Sequence, residues 1–292
     1  MEWVREGEVF APGPPGEPDS ARTSRPWVLE EDGGALRMWY SGHDGTTGRI
    51  LAAVQRPGEA WGRLGVAIDA GFAGDSDQYG VESPCVVHSP GGYLMVYAGF
   101  DGETTRLHMA TSADAHAWTA QGTIMQRGPQ DALGASHPCL VSTEAGWWLF
   151  FSGYDGSRDS RRAVILAAVS KSGASWDRVG AVLEPVGGEL ATSHPCVIMV
   201  ARRFYMFYAS DDGRRVAIAM ATSADGFSWD RHGTTLGAIE GGSEARGVHT
   251  PCAVRFHDGS LHLWYAGLGA DDTDLAYRIC SAHFPGPWSA GT

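Results

Sequence analysis

The residues best suited to chemistry come as five pairs, each placed just ahead of a proline. They are Ser24-Arg25 before Pro26, Glu82-Ser83 before Pro84, Ser136-His137 before Pro138, Ser193-His194 before Pro195, and His249-Thr250 before Pro251. One carboxylate, three imidazoles, one guanidinium and several hydroxyls can move protons, hold charge and orient a polar ligand. Ionisable groups gathered in one cleft are a signature of a site. Glu82, His137 and His194 are the candidate catalytic groups, and Arg25 and His249 candidate substrate-binding groups. The plainer reading is that these side chains bond neighbouring strands and close a channel with water.

A second group lies close by in the pattern. His43-Asp44, Phe100-Asp101, Tyr154-Asp155 and Asp211-Asp212 each follow an apolar run, with Arg49 and Arg106 a few residues on. Phe100 and Tyr154 could stack on a sugar ring. Asp44, Asp101, Asp155 and Asp212 each precede glycine, which is also how a simple turn is written. Asp19 and Asp77 are loop carboxylates ahead of the first two prolines and further candidates, with Asp77 and Asp101 placed among the catalytic set.

The elements that carry these residues repeat. Arg25-Pro26-Trp27-Val28, Ser83-Pro84-Cys85-Val86, His137-Pro138-Cys139-Leu140, His194-Pro195-Cys196-Val197 and Thr250-Pro251-Cys252-Ala253 recur about every 56 residues, a spacing suited to propeller blades. A second strand follows each, as in Met38-Trp39-Tyr40 and Leu263-Trp264-Tyr265. It is nearly continuous in apolar character, as in strands covered on both faces. A third strand is rich in small residues (Ile50 to Val54, Ile218 to Thr222), and a turn then leads into a Trp-led fourth strand, most fully in Ser223-Ala224-Asp225-Gly226-Phe227-Ser228-Trp229. That motif reads as structural, with Trp filling the space between blades.

The expectation is an all-β, single-domain, five-bladed β-propeller with four-stranded antiparallel blades near 24–65, 82–122, 136–180, 193–233 and 249–292. Alternating strand direction puts the pre-proline pairs and the loops after the second strands on one face, where binding usually sits on such scaffolds. Trp3-Val4-Arg5-Glu6-Gly7 copies the fourth-strand pattern of Trp176-Asp177-Arg178-Val179-Gly180, and Trp288-Ser289-Ala290-Gly291 is a shortened copy. Either strand 1–10 closes the ring beside the last blade, or it covers an edge, of this chain or of another subunit.

The composition narrows the function. The chain has 292 residues, 43% hydrophobic and 19% charged, with 11 Trp and 40 Gly. Its net charge of −12 argues against a nucleic-acid partner, which needs a basic face. No run is long enough to cross a membrane, and the acidic start lacks a signal-peptide core. Four of the five Cys share one repeat position, which suggests buried free thiols in a reducing cytoplasm. A small-molecule partner and a monomer or dimer are expected.

The repeat of Pro-Cys-Val, Met-Trp-Tyr-Ser-Gly and Ala-Thr-Ser-Ala-Asp-Gly-x-Ser-Trp resembles the arabinanase, levansucrase and invertase superfamily of five-bladed propeller glycosidases, over the whole chain. The resemblance implies three funnel carboxylates: an Asp before Pro in the first blade as base or nucleophile, a second Asp that orients, and a Glu shortly before another Pro as general acid. Glu82-Ser83-Pro84 is similar to the acid motif, in the second blade; the first-blade slot holds Arg25, with Asp19 and Asp77 as substitutes nearby. It also implies an axial metal ion or water, for which His137, His194 and His249 are the candidate ligands; no cofactor is required.

Three functions fit. One is a glycosidase-like enzyme on a small glycoside with Glu82 as acid, with phosphorolysis as a variant in which Arg25, Arg49 and Arg106 hold phosphate. The second is a pseudo-glycosidase, such as a cyclase, lyase or dehydratase, using the histidines as proton carriers. The third is a non-catalytic sugar-binding propeller.

Overall fold

The computed structural model describes residues 2–156, 162–269 and 277–288. Among them the protein is all-β, with three single-turn 3-10 segments. The strands pair in chain order. β2 (Arg22–Glu30), β3 (Leu36–His43), β4 (Gly48–Gln55) and β5 (Gly62–Ile68) form an antiparallel meander. The same pattern recurs in β6 (Gly80–Ser89) to β9 (Thr119–Thr123), with β7 (Gly92–Phe100) and β8 (Thr105–Ser112) between. It recurs in β10 (Gly134–Thr143), β11 (Gly146–Tyr154), β12 (Val164–Ser170) and β13 (Asp177–Leu183). It recurs again in β14 (Ala191–Val200), β15 (Arg203–Asp211), β16 (Val216–Ser223) and β17 (Asp230–Leu236). The last set is β18 (Gly247–Arg255), β19 (Leu261–Leu268) and β20 (Tyr277–Phe284), and its fourth strand is β1 (Val4–Phe10), antiparallel to β20.

The two readings left open for the amino-terminal strand are thereby separated. It pairs with β20 of its own chain. Of the chain-end copy, only Trp288 is within the described residues; it is buried against Tyr205, ring centroids 4.7 Å apart. Each first strand begins two residues earlier than the sequence pattern suggests, because the residues ahead of the pre-proline pair already pair with the second strand.

The layers follow from composition. Second strands are buried on both faces, and the alanines of the third strands (Ala52, Ala53, Ala110, Ala167, Ala219, Ala221) let the next meander approach closely. Fourth strands such as β5 and β9 are mostly exposed. The Ser-Ala-Asp turn is structural: Asp225 Oδ1 accepts the amides of Phe227 and Ser228, and Asp114 Oδ1 those of His116 and Ala117. Trp229 then packs against Phe150 of the preceding meander, centroids 5.7 Å apart, and Trp118 against Trp39, 6.0 Å apart.

The first strands gather at the centre. β2 touches β6, β6 touches β10, β10 touches β14, β14 touches β18, and β18 touches β2. All five cysteines are free and buried. Four of them stitch this inner layer: the thiol sulfurs of Cys85, Cys139, Cys196 and Cys252 accept the amides of Leu140, Val197, Ala253 and Val28 at 3.1 to 3.2 Å. At the fifth junction the repeat's Cys is replaced by Trp27, whose indole N–H donates to the Val86 carbonyl at 2.7 Å. Trp27 packs against all five hydrophobic clusters of the protein.

Candidate functional site

One backbone device builds the site. Arg25, Ser83, His137, His194 and Thr250 all have φ between 52° and 57°, the left-handed region that non-glycine residues seldom occupy. In every case the ladder to the second strand shifts register between the residue before this one and the residue after the proline. This is a β-bulge. It takes Arg25, Ser83, His137, His194 and Thr250 out of the ladder and gathers them around the centre, while the residue before each stays paired with the second strand. Two of the amides it releases find side-chain partners: Ser83 N–H donates to Ser41 Oγ and His194 N–H to Ser152 Oγ, both at 2.8 Å. Residues of all five first strands line one central cavity of about 30 Å³: Arg25, Pro26, Trp27, Ser83, Pro84, His137, Pro138, His194, Pro195, Thr250 and Pro251.

The polar layer is a connected set. Arg25 Nη1 lies 2.8 Å from Glu82 Oε2, and Arg25 Nε donates to His137 Nε2 at 3.0 Å. A guanidinium has no acceptor, so His137 Nε2 is the acceptor and its proton sits on Nδ1. That N–H donates to Ser136 Oγ at 2.5 Å, and Ser136 Oγ lies 3.1 Å from the Tyr154 hydroxyl. His194 Nδ1 makes the matching contact with Ser193 Oγ at 2.6 Å. The His137 and His194 rings are 3.7 Å apart, His194 and His249 5.6 Å, and His249 and Tyr277 4.8 Å, between centroids. Both ring nitrogens of His249 are shielded from solvent and lack a hydrogen-bond partner among the described residues.

Burial is the first cause of the histidines' state. It holds His137 and His194 well below the usual value, and the neighbouring rings and the Arg25 charge push the same way. His249 is pulled down to about 3 by burial and Arg25. The imidazoles are therefore neutral at pH 7. The unfolded chain takes up a proton near pH 6.5, while folded His249 resists until about 3. Stability is therefore lost as pH falls from about 6.5 toward 3. Replacing His249 with Phe is expected to flatten this loss by roughly 1 kcal/mol per pH unit. Urea unfolding of both proteins at pH 6.5 and 5 measures it; equal losses in the two would refute the assignment.

The other expected residues divide. His43 ends β3, opposite Arg22, and its Nδ1 accepts the Gly45 amide at 2.9 Å. Asp44, Asp101 and Asp212 are turn formers, each accepting two backbone amides within the next three residues. Asp211 accepts the Gly213 amide at 2.7 Å. Arg49 is tied to Asp44 and Asp69, and Arg106 to Asp101, so neither joins Arg25 at the centre. Asp155 is exposed at the end of β11. Phe100 is 38% exposed and meets Tyr79 edge-on at 6.4 Å.

Asp19 and Asp77 have another setting. Asp19 is fully buried, accepting from the Tyr40 hydroxyl at 2.8 Å and Arg63 Nε at 2.9 Å. Asp77 meets the Tyr97 hydroxyl at 3.3 Å and His108 at 3.8 Å. The remaining meanders repeat the arrangement: Asp131 with Arg178 beside Phe151, Glu189 with Arg231 beside Tyr208, and Glu244 with Arg5 and Tyr265. These acids knit each meander together, away from the cavity lining. The signal was present in the sequence: an acid six or seven residues before each proline, and Arg two residues after Trp3, Trp61, Trp176 and Trp229. Sequence reasoning also passed over Arg22, whose electrostatic neighbours are Arg25, Glu82 and Tyr277.

Among the described residues no group of three or more His, Cys, Asp or Glu side chains is disposed to hold a metal ion. His137 has both nitrogens engaged, by Arg25 and Ser136. No helix of the described residues is long and apolar enough to cross a membrane.

No protein-family profile matches the chain. Two Mycobacterium tuberculosis proteins, named Uncharacterized protein MT1551 and Uncharacterized protein Rv1502, are 25% and 24% identical to it, over 96% of this chain and 99% of theirs. Solved structures align over nearly its full length. A glycosyl hydrolase from Bacteroides ovatus superposes with a TM-score of 0.78 at 16% identity, covering 97% of this chain and 93% of that one. A structure described as belonging to the GH130 family of mannoside phosphorylases, containing hydrolases of β-1,2-mannosidic linkages in Candida mannan, gives 0.75 at 17%, covering 100% and 96%. A thermostable family-43 glycoside hydrolase gives 0.74 at 13%, covering 91% and 96%. The repeated meanders, the central gathering of first strands and these superpositions show that the chain shares the fold of these glycoside hydrolases.

Proposed function

We propose that the five meanders are the four-stranded blades of a closed five-bladed propeller, and that the protein is a glycosidase-like enzyme. It acts on a small glycoside or sugar-derived metabolite in the central funnel, with Glu82 carrying the proton to the leaving oxygen. The observation that carries this reading is the Glu82–Arg25 pair at 2.8 Å. Among the ten pre-proline residues, Glu82 is the only carboxylate, and the arginine fixes its direction. Cleaving a glycosidic bond needs an acid at the leaving oxygen, whatever attacks the other side of the sugar. One fold neighbour is described as a group of mannoside phosphorylases that contains hydrolases. Glu82 would serve either reaction.

The histidines favour this reading over one in which imidazoles shuttle protons. A group works best as acid or base when its pKa lies near the working pH. Burial holds His137, His194 and His249 below that range. As neutral rings, His194 and His249 are suited to bonding substrate hydroxyls.

The test is Glu82→Gln, assayed on a panel of small aryl glycosides with and without phosphate. Turnover is expected to fall by about a hundredfold or more, within the range for general acid catalysis, while the far-ultraviolet circular dichroism and melting temperature hold. Undiminished turnover, or none by the native protein across the panel, refutes the reading.

A further inference from the structure

Two imidazoles at the centre share one local motif and differ in what surrounds it. Ser136-His137-Pro138 and Ser193-His194-Pro195 match in sequence and in backbone, with φ of 52° and 55° at the histidines. In each, the serine hydroxyl meets Nδ1 of the adjacent ring, at 2.5 and 2.6 Å. The difference lies beyond the motif. Opposite Gly134, the second strand ends in Tyr154; opposite Ala191, the equivalent strand ends in Asp211. The Tyr154 hydroxyl lies 3.1 Å from Ser136 Oγ, whereas Asp211 accepts the Gly213 amide. Tyr154 is the one hydroxyl among the five second-strand ends, the others being His43, Phe100, Asp211 and Leu268.

Arg25 completes the difference. The single proton on its Nε goes to His137 Nε2 at 3.0 Å, and its Nη1 meets Glu82 Oε2 at 2.8 Å. A guanidinium is planar, so contacts on two of its nitrogens fix both its position and its plane. His137 can accept from Arg25 only as a neutral ring with its proton on Nδ1. Burial, the His194 ring and the Arg25 charge disfavour the imidazolium. Ser136 Oγ takes the Nδ1 proton, and the Tyr154 hydroxyl holds Ser136 from its other side. The contacts thus run from Tyr154 through Ser136, His137 and Arg25 to Glu82, joining three meanders.

We propose that His137, Ser136 and Tyr154 are positioning residues that act on Glu82 through Arg25. His137 keeps the guanidinium turned to the carboxylate, and Ser136 with Tyr154 keeps His137 in the one tautomer that can do so. Tyr154, which the sequence offers as a surface for stacking on a sugar ring, is by this assignment committed through its hydroxyl to the protein's own network. The consequence for turnover rests on the role of Glu82 proposed above; the chain of contacts stands without it.

NMR of the full chain labelled with nitrogen-15 reads the contacts at neutral pH without turnover. Native His137 is expected in one neutral tautomer, protonated on Nδ1, with the Arg25 Nε–H exchanging slowly with water. In His137→Leu that exchange should quicken by about tenfold or more. In His137→Gln it should quicken less, since an amide oxygen can take the same proton. Tyr154→Phe should populate the second tautomer of His137. Arg202→Gln, which breaks only a surface pair with Glu144, should leave all of this as in the native protein. The native spectrum and Tyr154→Phe carry the test even where His137→Leu does not fold. Turnover gives a second readout, on the phenyl glycoside that the native protein cleaves best. There His137→Leu should lower kcat by about tenfold or more with KM little changed, and His137→Gln should recover most of it. On the matching dinitrophenyl glycoside, whose leaving group departs without a proton, the loss should stay within about threefold. A chain merely weakened by the substitution would lose both alike. The proposal is overturned if His137 carries its proton on Nε2 or is doubly protonated, if the Arg25 Nε–H exchanges as slowly in His137→Leu as in the native protein, if Tyr154→Phe leaves the tautomer unchanged, or if both glycosides suffer equally. Should the native protein cleave no glycoside, Glu82 loses its proposed role, and the NMR results alone uphold or overturn the chain of contacts.

Discussion

A chain lacking residues 1–10 is expected to lose at least about 5 kcal/mol of stability, a large share of what a domain of this kind has. β1 is the outer strand of the last meander and ties it to both neighbours. Trp3 donates to Thr235 Oγ1 at 2.8 Å and packs against Phe207 at 6.1 Å and Phe284 at 6.4 Å. Arg5 pairs with buried Glu244 and donates to the Gly237 carbonyl. Phe10 is buried against Tyr40 of the first meander, centroids 5.0 Å apart, under the Arg63 guanidinium. Truncation removes two aromatic anchors, strands the Glu244 carboxylate and bares the β20 edge. A stranded buried charge alone costs about 3–5 kcal/mol, and a bare edge invites pairing with other chains. Thermal melts with size-exclusion chromatography read both effects. A truncated chain that stays monomeric and melts within a few degrees of the native one would refute this account of β1.

Trp27→Ala should cost about 3–5 kcal/mol, the range for deleting a large aromatic side chain from a packed region, although Trp27 itself is partly buried. The effect belongs at the high end because one side chain joins all five hydrophobic clusters. The Val86 carbonyl would also lose its donor. Trp27→Cys makes the sharper case. It restores the repeat seen at Cys85, Cys139, Cys196 and Cys252, yet it should destabilise nearly as much, since a thiol leaves most of the indole's volume empty. Urea unfolding decides; a loss below about 1 kcal/mol for either variant would show that Trp27 is no axial plug.

Much of this was legible in the residues. The prolines, the apolar second strands and the Trp-led turns repeat in type and spacing, so the meanders and the gathering of Glu82, Arg25 and the histidines could be foreseen. The missed features depend on partners far apart in sequence. Asp19 and Asp77 looked like spare acids, because their fixed partners, Tyr40 with Arg63 and Tyr97 with His108, show only when strands are laid side by side. The pairing of Arg5 with Glu244 joins opposite ends of the chain. Trp27 did leave a mark in the sequence, as the single break in the Pro-Cys repeat.

The five left-handed positions have a consequence of their own. Arg25, Ser83, His137, His194 and Thr250 differ in size, charge and branching, yet their φ values lie within a few degrees of one another. The conformation is thus imposed by the flanking ladder and proline, with the side chain as passenger. Each position is an interchangeable socket: a new functional group can be installed there while every strand keeps its partner, so the chemistry of the centre can be rewritten five letters at a time on an unchanged frame.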